Sequence, residues 1–428
     1  MKKSHYSLFF IHYSNKSGQS LIEILVALAV GTILIIAAVS VIAPALRANT
    51  QADKVQVSSA LGKELLENIR VFSEADWHNI SNLATGSANK YFLVSTRSPF
   101  IAATGTEGIL ADGIASGTVG YWKLDESAGT TAYDFSGNNV TSTFGGSPSS
   151  TEGKIGNAFS FTTAGVDNVN LGNPSGIQFD VNTPFSVAFW VKLPTNSSTV
   201  GFVRKSTGIH GLGWYVWAWN STNRLYFNIN SSSTNLGINS TMIITDNNWH
   251  HAVATYDGTS NRSGMKLYVD GTINATGTAS AAIGSMISTT PLTFSAAGGG
   301  GAGLLDDIRI YNRALSATEV KTINNAAIYT RYFYLDTVGR DVSDALLSSG
   351  GTNDPSTEKA TVVYGWLNGP TSTFSMYLTR FRNNVFDQTD WSGGPGQDGP
   401  ATTTNSSFST STKIYHSTTT GSLIINFQ

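Results

Sequence analysis

The chain has 428 residues, a length that predicts about three domains at roughly 150 residues each. Charged residues make up 13% of it, against the roughly 25% usual in soluble domains, and it contains 43 glycines and no cysteine. Disulfides, thiolate metal sites and a cysteine nucleophile are therefore excluded. The formal net charge is −2, which argues against nucleic acid as a main partner. We expect a β-rich protein that works outside the cytoplasm.

The first segment with a clear pattern is an apolar run at residues 24–43. Its twenty residues carry no charge, and at 1.5 Å per residue such a helix is about 30 Å long, the thickness of one bilayer core. We therefore predict a span of the cytoplasmic membrane. An ordinary anchor and a cleaved secretory signal ending at Ala45 are the alternatives.

A carboxylate, Glu23, lies at the edge of this run, where an unpaired charge is costly in lipid. If the chain is cut between Gly18 and Gln19, the new amino group lies four residues before Glu23 and can meet the Glu23 of a neighbouring subunit. The string GQSLIE at 18–23, followed by the apolar run, resembles the class III leader of type IV prepilins and pseudopilins.

This resemblance implies cleavage after Gly18 by a prepilin peptidase and N-methylation of Gln19. It also implies that Glu23 contacts the amino terminus of the next subunit. The expected partners are the inner membrane before assembly and other pilin or pseudopilin subunits afterwards. We expect a single-pass protein of the cytoplasmic membrane that then enters a cell-surface filament.

After the apolar run, an apolar stripe with spacings of three and four residues predicts that the helix extends from about Leu21 to about Ala75. Short runs typical of antiparallel strands then occur at 90–96 and, after more than 200 residues of different character, at 329–336, 358–366 and 375–382. We interpret the intervening residues as an inserted domain, which requires residues near Leu110 and Asn325 to lie close together. Short strings in the flanking parts resemble a minor-pilin head.

The inserted segment contains many short aromatic and β-branched runs separated by turn residues, a pattern typical of an all-β sandwich. Several of its strings closely resemble the laminin-G-like, concanavalin A-like jelly roll: VGYWKLDE at 119–126, DFSGN at 134–138, FSVAFWV at 185–191, WHHAVATYD at 249–257 and LDDIRIY at 305–311. The resemblance implies two packed antiparallel sheets, with the first strand closing against the last. Members of this superfamily bind glycans or proteins, act as spacers, or cleave polysaccharides.

These patterns predict an α+β chain that is mostly β, with a long N-terminal helix and a small antiparallel head interrupted by the jelly roll. The expected parts are a cleaved leader at 1–18, the pilin N-terminal helix at 19–80 with its span at 24–43, the first part of the head at 81–116, the jelly roll at 117–323, the second part of the head at 324–392, and a Ser/Thr/Gly-rich tail at 393–428.

Catalysis of the glucanase type needs two carboxylates about 5 to 9 Å apart in one groove. The inserted segment has no Glu-x-Asp or Glu-x-Glu string. Its close acid pairs, at 125–126 and 306–307, are adjacent and so are expected on opposite faces of a strand. We therefore do not expect an enzyme.

Calcium is the one cofactor that the sequence suggests, because a hard cation prefers several oxygen ligands. A structural Ca²⁺ would take oxygens from Asp134, Ser136 and Asn138, joined by Asp306 or Asp307 if the terminal strands meet. The alternative is that residues 134–138 form an Asx turn without a metal.

The string WYVWAW at 214–219 is the candidate ligand-binding strand. Alternation along a strand places Tyr215, Trp217 and Trp219 on one face, where sugar rings could stack, and Trp214 on the other. The alternative is a buried aromatic cluster. The leading hypothesis is a minor type IV pilin or pseudopilin that displays the jelly roll to an extracellular glycan or protein in adhesion. The alternatives are a structural pseudopilin of a secretion or DNA-uptake machine with no external ligand, and a polysaccharide hydrolase.

Overall fold

The computed structural model describes residues 21–380 and the backbone of two strands farther along the chain. Within the first range it leaves out residues 98, 141, 163–165, 196–198, 209, 281, 297–302, 344 and 348–349. The leader and most of the tail, and with them Gly18 and Gln19, lie outside the described residues.

The first element is a helix of 55 described residues, α1 (Leu21–Ala75), which confirms the predicted long helix and its C-terminal end. The chain divides into two compact units, and the apolar part of α1, up to residue 56, belongs to the first. This helix is long and apolar enough to cross a membrane, with a mean hydropathy of 2.9 over an 18-residue window. Ser40 Oγ donates to the carbonyl of Ala37 at 2.8 Å, so this hydroxyl is satisfied within the helix.

The remaining elements follow in chain order. After α1 come α2 (His78–Ser81), β1 (Tyr91–Val94), β2 (Ile101–Thr104) and β3 (Glu107–Ala111). The jelly roll consists of β4 (Thr118–Trp122), β5 (Thr143–Gly145), β6 (Ser149–Glu152), β7 (Asn157–Phe161), β8 (Asn168–Asn170), β9 (Phe185–Lys192), β10 (Val200–Ser206), β11 (Gly213–Trp219), β12 (Arg224–Asn230), β13 (Asn235–Ile243), β14 (Trp249–Tyr256), β15 (Met265–Val269), β16 (Thr272–Thr276), β17 (Thr293–Phe294) and β18 (Gly303–Tyr311). The chain then forms α3 (Ala317–Asn325), β19 (Ala327–Arg340), β20 (Leu346–Leu347), β21 (Thr352–Trp366), β22 (Thr371–Thr379), β23 (Ile414–His416) and β24 (Leu423–Ile425).

The head is a seven-stranded antiparallel sheet on which the C-terminal part of α1 packs. Its order is β2-β1-β19-β21-β22, with β3 and β20 also paired to β19. Phe333 of β19 and Val362 of β21 belong to the same buried cluster as Leu65 of α1. Gly62 allows the close approach, because a Cβ at this position would collide with the ring of Tyr364.

The inserted segment leaves and re-enters the head at neighbouring strands. β3 pairs with β19, so that Leu110 lies opposite Ile328. The two ends are therefore adjacent, as domain insertion requires. Within the insert, Trp122 of β4 lies opposite Ile308 of β18, which confirms the predicted closure of the first strand against the last.

The jelly roll consists of two sheets packed face to face. The proximal sheet has the order β16-β15-β14-β9-β18-β7-β6, with β4 also paired to β18, and the distal sheet has the order β13-β12-β11-β10-β17-β8-β5. Buried apolar side chains from both sheets form one core, in which the rings of Phe189 and Phe202 lie 5.5 Å apart and those of Phe185 and Phe227 lie 5.9 Å apart.

The other side of the proximal sheet faces the head and α3. A capping box starts α3, because Ser316 Oγ accepts from the Glu319 backbone N–H while the Glu319 carboxylate accepts from the Ser316 N–H at 2.8 Å. Val320 and Ile323 of this helix pack in one buried cluster with Trp190 of the proximal sheet. The outward side of the distal sheet, hereafter the distal face, is therefore the side of the sandwich turned away from the head.

Candidate functional site

An aromatic row lies along β11 on the distal face. Tyr215, Trp217 and Trp219 alternate with residues that point into the core, as the sequence predicts. The row is graded in exposure: Tyr215 is 1% exposed, Trp217 is 6% exposed and Trp219 is 43% exposed. Trp219 is therefore the member that a ligand can reach directly, and the other two lie beneath or beside it.

The surroundings of Trp217 make a shallow aromatic shelf. The ring of Tyr226, on the neighbouring strand β12, lies 4.9 Å from that of Trp217 and 5.9 Å from that of Trp219. The Trp217 indole N–H donates to Asn228 Oδ1 at 2.8 Å, which fixes the ring. Gly201 lies opposite Trp217 on β10, with open space where a side chain would be. The shelf thus stays open on that side.

Tyr215 has a supporting position instead of the ligand contact that the sequence suggested. Its hydroxyl accepts a hydrogen bond from the His210 backbone N–H at 2.8 Å and lies 3.5 Å from Asn230 Nδ2. A buried phenol needs such partners, and here they tie the loop after β10 to the sheet. Tyr215 therefore holds the end of the row in place.

The structure brings Asp134, Ser136 and Asn138 together in one loop. Asp134 Oδ1 accepts from the backbone N–H groups of Tyr121 at 3.1 Å and Ser136 at 2.8 Å. Asp134 Oδ2 accepts from Ser136 Oγ at 2.9 Å and from the Val140 N–H at 3.0 Å. Asn138 in turn donates through its N–H to Ser136 Oγ at 3.3 Å. This is the hydrogen bonding of an Asx turn, complete in protein donors.

Asp306 and Asp307 do not join this loop. β4 lies between the loop and β18, because Trp122 pairs with Asp134 on one side and with Ile308 on the other. Asp306 accepts two backbone hydrogen bonds at 2.8 Å from the turn after β6, and Asp307 pairs with an arginine of β18 at 3.1 Å. Over the residues that the structure describes, no group of three or more His, Asp and Glu side chains could hold a metal. No contact in the structure tests the calcium prediction, and the hydrogen bonds of the loop favour the alternative of an Asx turn without a metal.

The adjacent acids of β18 correct another expectation, since they do not point to opposite faces. A β-bulge interrupts the pairing with β9 between Asp306 and Arg309, and Asp307 has a φ of 49°. The extra residue breaks the two-residue alternation, so both carboxylates lie on the side of the proximal sheet that faces the head. Burial, with Asp125 and Asp307 nearby, raises the pKa of Asp306 well above its ordinary value.

A buried chain of charges joins the jelly roll to the head. Glu107 of β3 lies with one carboxylate oxygen 2.6 Å from Lys123 Nζ and with the other 2.7 Å from Arg331 Nε. Arg331 also donates to the Leu61 carbonyl of α1 at 2.8 Å. Burial opposes the charge of Glu107, but the two cations outweigh it and hold its pKa below the ordinary value. One carboxylate thus connects the jelly roll with the head sheet, and its partner Arg331 extends the connection to α1.

Further buried polar contacts support the same junction. Asp125 accepts from the backbone N–H groups of Gly108 at 2.7 Å and Asn157 at 2.8 Å, which ties the start of the jelly roll to β3. Arg309 of β18 pairs with Asp112, just after β3. Sequence reasoning missed this junction, although a lone lysine in VGYWKL and a lone arginine in IYTRYFYL were signals of buried charge.

Glu23, the predicted assembly residue, lies in the first described turn of α1, immediately before the apolar run. A helix N-terminus favours a negative charge, so this position suits a carboxylate. The two processing residues, Gly18 and Gln19, are outside the described part of the chain.

Comparison with known proteins agrees with the two strongest sequence signals. Residues 163–321 match the family described as the concanavalin A-like lectin/glucanases superfamily, and residues 13–39 match the prokaryotic N-terminal methylation motif. The chain thus carries a type IV pilin leader motif and a laminin G, concanavalin A-like domain, and both predictions are confirmed. No curated protein matches the chain.

Solved structures resemble the chain only distantly. The binding domain of Paraclostridial Mosquitocidal Protein 1 has a TM-score of 0.44 and 13% sequence identity, covering 60% of this chain and 76% of that one. The binding domain of Botulinum neurotoxin DC, solved in complex with rat synaptotagmin II, has a TM-score of 0.42 and 13% identity, covering 61% and 74%. At these TM-scores the likeness carries no argument about the ligand of this chain.

Proposed function

We propose that the chain is a minor type IV pilin or pseudopilin subunit whose jelly roll binds an extracellular glycan and so serves adhesion. The methylation motif and the apolar helix support insertion in the cytoplasmic membrane, processing by prepilin peptidase and assembly with other pilin-type subunits. The observation that carries the binding half of the proposal is the exposure of Trp219, 43%, on the distal face.

Sugar rings suit the aromatic shelf because they present C–H groups that stack on the negative face of an aromatic ring. Trp219 offers a reachable ring, and Tyr226 meets it edge-on. Neutral amides are among the polar neighbours: Asn239 lies opposite Tyr226 in β13 and is exposed. Amides of this kind can donate to and accept from sugar hydroxyls.

The position of the shelf also suits display. The proximal sheet is covered by α3 and by residues of the head, including Leu110. A ligand that approaches the distal face therefore meets no other part of the described head. The buried junction at Glu107 fixes the jelly roll on the subunit without using this face.

The same geometry favours binding over cleavage. Glycoside hydrolysis needs two carboxylates flanking a groove, and the distal face has no Asp or Glu among the described residues that strand pairing places on it. The buried acids Asp125 and Asp306 each accept backbone hydrogen bonds at the junction, on the other side of the sandwich.

The proposal is tested by measuring glycan binding of the full chain in detergent, first on an array and then by titration. Trp219→Ala should weaken binding at least tenfold, equivalent to about 1.4 kcal/mol. Ile273→Ala is the matched control, since Ile273 is 55% exposed but belongs to the proximal sheet. Absence of glycan binding, or equal binding by the Trp219 variant, would refute the glycan role. Capture of a surface protein through Trp219 instead would also refute it.

A structural role is the second candidate, and the buried junction is the observation that favours it. Charges from β3, from Lys123 just after β4 and from β19 meet there in a buried contact, which makes the jelly roll a stiff extension of the head. Two results together would replace adhesion by this structural role: the chain binds no glycan, and filament assembly fails when residues 117–323 are deleted.

A further inference from the structure

The distal face has an unusual charge composition. Strand pairing places on it five aromatic or aliphatic side chains, several neutral polar residues and two arginines, and no acid among the residues that the structure describes there. Its members are Thr143, Gly145, Asn168, Asn170, Gly201, Arg204, Tyr215, Trp217, Trp219, Arg224, Tyr226, Asn228, Asn230, Asn235, Gly237, Asn239, Ile243 and Thr293.

The two arginines flank the aromatic row. Arg224 of β12 lies directly across from Trp219, and Arg204 of β10 lies directly across from Tyr215. From the strand rise and spacing, their Cα atoms are about 16 Å apart. An oligosaccharide of a few rings spans this distance, so one such ligand can meet both guanidinium groups.

Neither of these arginines is paired with an acid within the described residues, unlike several other arginines of the jelly roll and head. Arg309, Arg313 and Arg331 each form an ion pair with a carboxylate. Arg204 is exposed and Arg224 is half-buried beside the aromatic shelf. The chain as a whole has a net charge of −2, so this positive charge is a local property of the face.

We propose that the distal face binds an anionic oligosaccharide, with a ring stacked on Trp219 and carboxylate or sulfate groups paired with Arg204 and Arg224. The inference rests on the proposed glycan-binding function and specifies its ligand class. The planar guanidinium group suits bidentate recognition of a carboxylate or sulfate. Because strand pairing places no acid among the described residues of the face, these residues do not repel the anionic groups, and neutral sugars form no ion pair with the arginines.

The test uses the full chain in detergent and four probes: an oligomer of uronic acids, its carboxyl-reduced neutral counterpart, a sulfated oligosaccharide, and double-stranded DNA. The variant is Arg204→Gln with Arg224→Gln. Its control is Arg262→Gln together with Lys266→Gln, which removes the same charge from two residues that do not belong to the distal face.

The proposal predicts that the uronic or the sulfated oligomer binds at least tenfold more tightly than the neutral one. The arginine double variant should lose this preference and most of the salt dependence of binding, and the control should keep both. The uronic and sulfated arms identify which anionic group is recognised.

Equal binding of neutral and anionic oligomers, with no effect of the arginine variant, would overturn the inference and leave Trp219-dependent glycan binding intact. If no oligosaccharide bound at all, the proposed function itself would fall. Arginine-dependent binding of DNA without any glycan binding would overturn both.

Discussion

Lys123 Nζ lies 2.6 Å from Glu107 Oε1 across the contact between the jelly roll and the head. Both side chains are buried, and Glu107 also binds Arg331 of the head sheet at 2.7 Å. Breaking either ion pair would leave a buried charge without its partner, which is energetically costly. The contact therefore holds the jelly roll and the head in one relative arrangement. The orientation of the jelly roll on the head is therefore set by a polar contact as well as by apolar packing.

Removal of the Glu107 carboxylate should weaken this junction strongly. Glu107→Ala leaves Lys123 and Arg331 buried without their acid, so we expect the free energy of unfolding to fall by about 3 to 5 kcal/mol. The free energy of unfolding is measured by urea titration, with tryptophan fluorescence as the signal. The control is Glu67→Ala, whose pair with Arg70 is mostly exposed and should contribute less than about 1 kcal/mol. Equal effects of the two variants would show that the buried contact is not stabilising.

The processing prediction concerns the cut between Gly18 and Gln19. Gly18→Val should block cleavage by prepilin peptidase, because a branched side chain replaces the glycine that the resemblance to class III leaders places just before the cut. Amino-terminal sequencing of mature wild-type protein should begin at Gln19, and the variant should retain its leader. A wild-type sequence that begins at Met1 or after Ala45 would contradict the pilin assignment.

The assembly prediction concerns Glu23 at the start of α1. Glu23→Ala should leave membrane insertion unchanged, since the apolar run is intact, but should remove the subunit from filaments, because its carboxylate no longer meets the next amino terminus. Immunoblots of membranes and of sheared filaments measure the two steps. Ser40→Ala is the control within the same apolar segment, because the Ser40 hydroxyl donates its hydrogen bond to a carbonyl of the same helix. Normal incorporation of the Glu23 variant would argue against the pairing.

Much of the fold was predictable because its signals are local. The apolar run predicted the helix. The resemblance of strings such as LDDIRIY to laminin-G-like domains predicted the jelly roll and the pairing of its first and last strands. The junction was not predictable, since Glu107 and Arg331 are 224 positions apart and only the folded insert brings Lys123 between them. The bulge at Asp307 could not be inferred either, because alternation assumes a regular strand. On the distal face, alternation predicted the aromatic row but could not distinguish exposed Trp219 from buried Tyr215.

The calcium prediction is decided by chelation. Asp134 already accepts four hydrogen bonds from protein donors, so the loop at 134–138 does not depend on a metal for its polar partners. We therefore expect the thermal midpoint to stay within about 1 °C when EGTA is added, because binding stabilises only a native state that holds the ion. A lower midpoint that added Ca²⁺ restores, and that Asp134→Asn abolishes, would establish the metal.

The buried carboxyl of Glu126 should make stability depend on pH. Burial raises its pKa from 4.5 to about 7, although the hydrogen bond from the Tyr133 N–H lowers it. The native state therefore holds this proton more tightly than the unfolded state. Its stabilising contribution is complete below pH 4.5 and is lost as the pH rises to about 7, on the order of 3 kcal/mol in total.

His251 gives stability the opposite dependence on pH. Burial lowers the pKa of its imidazole to about 4, so the free energy of unfolding falls as the pH drops from 6.5 to 4. Both proteins share the His251 contribution, so the effect of Glu126→Gln is measured as the difference in free energy of unfolding between the variant and wild type. Relative to wild type, the variant should gain stability steadily between pH 4.5 and pH 7, because glutamine has no proton to lose. Urea unfolding at pH 5, 6 and 7 measures this, with exposed Glu152→Gln as the control. A difference that stays constant over this range would show that Glu126 is not protonated in the native state.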